Sequence, residues 1–148
     1  MCIVLDTNVL VSGLINPSGA PGRVLDLVMA GSVQLLCDDR ILAEYAEVLA
    51  RPKFGFSARQ VRALLNYLRI SDESVLARPL ELPRTARVPD KNDLPFAEVA
   101  AAGRADALVT GNPGHFSFLK RMGMEALSPA TFLGRWRDNS WGRPMRSV

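Results

Sequence analysis

Histidine and cysteine are nearly missing from this chain: one His and two Cys in 148 residues. No zinc-type ligand set can be assembled around His115, which is expected to be a loop or cap residue. Cys2 and Cys37 sit in apolar runs, without metal-type spacing, and read as reduced core residues of a cytosolic protein. No signal peptide is expected, because Asp6 stands where an apolar export segment would have to continue. The apolar runs are all broken well before the roughly 18 residues that a membrane span needs. A cytoplasmic chain with no membrane partner is therefore expected. Also missing are a G-x-S-x-G nucleophile elbow and a G-x-x-x-x-G-K-[ST] phosphate loop, which sets aside the hydrolases and nucleotidases built on them. There is no internal repeat and no low-complexity segment.

What is present suits one domain with a proper core, since apolar residues make up 48% of the chain. The formal charge of +3 permits nucleic-acid binding without demanding it. Arg121, Arg135, Arg137, Arg143 and Arg146 crowd the last part, whereas Asp90 and Asp93 form an acidic cluster in the middle. A basic rim beside an acidic pocket suits a phosphodiester-cutting site, although composition alone is explained as well by ordinary surface charge.

Cys2–Leu5 reads as a buried strand with Asp6 at its C-terminal end. Asn16–Gly22 is dense in turn residues and is expected to be a loop. Val24, Leu25, Leu27 and Val28 follow with helical spacing, stopped by Gly31. Val33–Cys37 reads as a strand. Asp38 or Asp39 then caps a helix whose apolar face is Ile41, Leu42, Tyr45, Val48 and Leu49. Ser57 caps another, with Val61, Leu64, Leu65 and Leu68. Pro79, Pro83 and Pro89 make Arg78–Pro89 extended or loop. Asp93 is the expected N-cap of a helix that turns Phe96, Val99 and Ala100 inward and leaves Glu98 solvated. Ala107–Thr110 is a third buried strand, followed by a turn at Gly111–Gly114. A last strand near Glu125–Leu127 precedes a helix starting close to Pro129. Continuous apolar strands alternating with helices predict an α/β domain with a mainly parallel sheet between two helical layers. Ligands of such sheets bind beyond the carboxyl ends of the strands, which puts Asp6, the start of the Asp39 helix and Gly111–Asn112 on one edge.

Asp6 is the strongest candidate for chemistry, because a carboxylate at the end of a buried strand is costly without a cation or donors. It could equally cap the next turn. Thr7 and Asn8 supply a hydroxyl and an amide that can orient it or a bound water. Glu44 flanks the apolar face of its helix and can reach over the sheet edge, whereas Glu47 points away; many flanking Glu residues simply lie on the surface. The Asp90/Asp93 spacing in PDKND suits metal binding, but Asp93 also satisfies a plain capping role. Thr110 and Asn112 bring a hydroxyl and an amide to the same edge. Several carboxylates with no Cys or His cluster suit hard cations such as Mg²⁺ or Mn²⁺, which support phosphodiester hydrolysis.

VLDTNVLVSGL, the Asp39–Glu44 helix, PDKNDLPFAEVA and ADALVTGN, in that order, resemble the PIN-domain ribonucleases, in particular those that are toxin components of toxin–antitoxin pairs. The resemblance runs from about Cys2 to about Leu133. It implies a three-layer α/β/α PIN-like domain over residues 1–134, with 135–148 as a basic tail, and Mg²⁺- or Mn²⁺-dependent cleavage of RNA. The family's catalytic and metal-binding acidic positions fall on Asp6, Glu44 and Asp93, with Asp90 accompanying them. Asn112 stands where many members carry an acidic residue, so fewer direct metal ligands are implied. An antitoxin protein and a homodimer are the partners the resemblance suggests. Two other readings stay open. One is a haloacid-dehalogenase-type phosphatase, resembled at LDTNVL, although its required second Asp is here Asn8. The other is a PIN-like module that grips RNA or protein without cutting, supported by Asn112.

Overall fold

The computed structural model describes residues 1–71, 73–74 and 90–138. Strand β1 (Cys2–Leu5) is followed by helices α1 (Thr7–Ile15) and α2 (Ala20–Met29), strand β2 (Gln34–Cys37), and helices α3 (Asp39–Leu49) and α4 (Ala58–Ser71). Then come the two-residue strand β3 (Glu73–Ser74), helix α5 (Leu94–Ala102), strands β4 (Ala107–Val109) and β5 (Ala126–Leu127), and helix α6 (Pro129–Asp138). The sheet order is β3-β2-β1-β4-β5 with every pairing parallel. Helix α2 packs on α1 and α6, and α3 packs on α4 and α5, giving the expected three layers.

Ile3, Val4 and Leu5 of β1 are fully buried, as continuous apolar strands covered on both faces must be. The helix starts follow their caps. Asp38 accepts from the Ile41 amide at 3.0 Å, and Ser57 accepts from the Gln60 amide at 3.1 Å. Gly31, with φ +76°, closes α2 in the left-handed conformation that a side chain resists.

Several expectations need correcting. The turn-rich segment is shorter than Asn16–Gly22, because α2 begins at Ala20 with Pro21 in its first turn, where the lost amide costs nothing. The helix directly after Asp6 was not legible: Thr7–Ile15 is apolar nearly all round, burying Thr7, Val9, Leu10, Val11 and Gly13, so it shows no clear periodicity. Beyond Asn112 the chain does not merely turn but runs on as a 3₁₀ array over Pro113–Met122, bent at Phe116. Helix α6 continues past residue 134 to Asp138, pairs Arg135 with Glu125, and packs Trp136 on the core. The Arg78–Pro89 segment, Arg143 and Arg146 lie outside the described residues.

The α1–α2 corner is tight. A Cβ placed on Gly22 would lie 2.2 Å from the carbonyl oxygen of Pro17, inside any permitted contact. Gly22→Ala is expected to cost at least about 1–3 kcal/mol by overpacking, read as a lower urea midpoint with unchanged slope. A midpoint equal to wild type would show that the corner is loose.

Candidate metal and catalytic site

The strand order reverses between β1 and β4, and the crevice at their carboxyl ends is where open parallel sheets hold ligands. Asp6 leaves β1 there and Thr110 leaves β4. The Asp6 amide bonds the Val109 carbonyl at 2.9 Å, extending the ladder by one step. The fully buried Thr110 hydroxyl donates to Asp6 Oδ2 at 2.7 Å, fixing the carboxylate's direction across the junction. The Asn112 amide in turn donates to Thr110 Oγ1 at 3.1 Å. The Gly111 amide donates to Asn8 Oδ1 at 3.2 Å, so the first turn of α1 ties down the loop after β4.

Glu44 reaches the same crevice from α3. Its Oε2 accepts a hydrogen bond from the buried Thr7 hydroxyl, one residue beyond Asp6. Glu44 is half-buried, whereas Glu47 is exposed, as the helical phase requires. Tyr45, fully buried beside Glu44, donates its hydroxyl to the Leu5 carbonyl and pins α3 to the end of β1. The phenol's role in anchoring was missed in the sequence, where Tyr45 reads simply as apolar.

Asp93 occupies the N-cap position of α5, but its side chain makes no capping bond. The carboxylate is left for the crevice. Burial is the main reason its carboxyl is held above the usual carboxylate range, and the negative charges of Asp6, Asp90 and Glu44 push the same way, opposed by His115. Asp6 is likewise raised, chiefly by burial, against the Thr110 and Thr7 hydrogen bonds and the nearby His115. Asp90 is exposed, and its Oδ1 accepts from the Asn92 amide at 3.0 Å, so it shapes the turn ahead of α5. Asn112 is exposed at the mouth.

One expectation fails here, that for Glu98, and one residue, His115, takes a place that local sequence does not foretell. His115 is exposed in the first turn of the 3₁₀ array, but it is also an electrostatic neighbour of both Asp6 and Asp93, a placement that only the tertiary fold produces. Glu98 is buried, not solvated. Helix α5 buries Phe96, Ala97, Glu98, Val99 and Ala100 in succession, so it has no open far side for amphipathic reasoning to find. Among the described residues, no three His, Cys, Asp or Glu side chains form a ready-made metal cage. Asp93 feels the charges of Asp6, Asp90 and Glu44 without a closed shell forming among the described residues. Even so, the donors fit a hard divalent cation: all are oxygens, and the strain of burial on Asp6, and of burial and like charge on Asp93, is what a cation relieves.

A PIN domain family model matches residues 2–113. The chain belongs to the PIN-domain family. An uncharacterized protein of Methanocaldococcus jannaschii is 32% identical over 111 residues, covering 74% of this chain and 70% of that protein. VapBC-1 from nontypeable Haemophilus influenzae shares the fold at TM-score 0.58 and 21% identity, over 88% of this chain and 99% of that chain. VapBC2 from Rickettsia felis, solved bound to a DNA fragment from its promoter, shares it at TM-score 0.53 and 18% identity, over 86% and 98%. This PIN domain thus has its acidic crevice at the switch point of its sheet.

The raised carboxyls carry a sign. Asp6 and Asp93 cost nothing below the ordinary carboxylate range, where folded and unfolded states are both protonated. The penalty grows as pH rises from that range through the raised folded values, and is complete above them. In the absence of divalent metal at neutral pH, Asp6→Asn is expected to raise the melting temperature by about 2–4 °C, the effect of roughly 1 kcal/mol in a chain of this size. The gain should vanish at pH 3. A variant that melts lower at pH 7 would place the carboxylate among the fold's supports.

Proposed function

We propose that this PIN domain is a metal-dependent ribonuclease, acting in the cytoplasm as the toxin of a toxin–antitoxin pair. The observation that carries the reading is that buried threonine hydroxyls donate to Asp6 and Glu44 while Asp93 lies within reach of the charges of both. Asp6, Glu44 and Asp93 would hold Mg²⁺ or Mn²⁺, with Asp90 at the rim. The bound cation supplies positive charge that draws a phosphodiester in and polarises its phosphorus–oxygen bonds. Thr110 holds Asp6 in one orientation, and Thr7 does the same for Glu44. Asn8 fixes the Gly111 amide, and Asn112 stands at the mouth to orient phosphate or water. The named relatives support an antitoxin partner and a dimer as further parts of this reading.

The non-cutting alternative draws on Asn112 and on the open arrangement of the carboxylates. Titrating Mn²⁺ against cleavage of mixed RNA separates the two. Wild type should cut, Asp6→Asn should fall by more than about 100-fold because a ligand matters more than its outer-shell support, and Asn112→Asp should equal or exceed wild type at limiting metal. An inactive wild type with an active Asn112→Asp variant would favour the binding module.

A further inference from the structure

Glu98 is the buried charge that the crevice does not use. It lies on α5, beyond Asp93, and its Oε1 accepts from Arg40 Nη1 at 2.6 Å. Arg40 belongs to the first turn of α3, one helical turn before Glu44. The same guanidinium grips Asp38, with Nε and Nη2 each 2.8 Å from Asp38 Oδ2. Asp38 meanwhile caps α3 through its other oxygen, accepting from the Ile41 amide. The cap of α3, its first turn and the body of α5 are thereby joined through one arginine. Those helices also carry Glu44 and Asp93, whose negative charges oppose each other across the crevice.

An ion pair between a buried carboxylate and a half-exposed arginine is a weak source of net stability, since desolvation offsets much of the attraction. What such a pair does well is set geometry: the planar guanidinium bonds two carboxylates in fixed directions. We propose that Arg40 and Glu98 are a positioning pair that holds α3 against α5 and so sets the spacing of Glu44 and Asp93 for the cation, an inference resting on the metal-dependent reading above. Neither residue touches metal or substrate in this scheme. Loss of the pair lets two like-charged carboxylates spread, and the cation then bears the work of drawing them together.

The test compares wild type, Glu98→Gln, Arg40→Met and the double variant, with two readouts. Glu98→Gln keeps the shape and removes the buried charge, so it keeps the test open if Arg40→Met, which takes a cation from beside that charge, misfolds. In metal-free protein, amide hydrogen exchange should quicken in the first turns of both α3 and α5 in each variant. Mn²⁺ titrated alone by calorimetry should bind about 10–100-fold more weakly to each single variant, the usual scale for lost outer-shell support. The double variant should be no weaker than the worse single one, because the two residues act as one unit. Folded variants with wild-type Mn²⁺ affinity overturn the proposal, even if they melt lower. A wild type that binds no Mn²⁺ sinks the nuclease reading and the positioning role with it. Unchanged exchange beside a normal wild-type affinity sinks the clamp alone.

Discussion

Everything in this molecule hangs on the double pairing of β1. Cys2–Leu5 bonds β2 on one side and β4 on the other, all parallel, and Ile3, Val4 and Leu5 are sealed on both faces. A strand so placed meets solvent only at its ends, beside Met1 and the half-buried Cys2 at one and at its carboxyl end, where the residue delivered is Asp6. The reversal of strand order at the same point parts the flanking connections and leaves a crevice in front of that carboxylate. The position of the site thus follows from sheet connectivity before any catalytic residue is considered.

The crevice is electrostatically strained and structurally supported at once. Burial disfavours the charged forms of Asp6 and Asp93, with like charge adding to it at Asp93, while Thr7, Thr110, Asn8 and Tyr45 bind the backbone and carboxylates around them in place. A core optimised only for stability would not gather negative charge there. The arrangement is coherent if the charges are matched by a ligand of opposite sign, with the hydroxyl bonds keeping the receptor in shape beforehand.

Much of this was legible in the residues. LDTN, the Asp38 cap and the Ala107–Thr110 run each combine a strand or helix signal with a polar group at its end, which is why the edge of the sheet could be anticipated. What escaped were features without periodicity. The α1 helix and α5 are apolar on nearly every side, so α1 shows no helical period and the sequence pattern around Glu98 points it to solvent. His115 belongs to no local pattern at all; its nearness to Asp6 and Asp93 arises because β4 lies beside β1. Local rules capture what neighbours in sequence do, and pairings over a hundred residues are beyond them.

The bond between Asp6 and Thr110 joins residues 104 positions apart. Contacts of such range form late, after the entropy of closing a long loop has been overcome, whereas the α1–α2 corner can form from adjacent residues. During synthesis Asp6 emerges 104 residues ahead of its partner hydroxyl. A nascent chain therefore carries the carboxylate long before it carries the receptor. The site is unfinished until β4 has formed and docked beside β1.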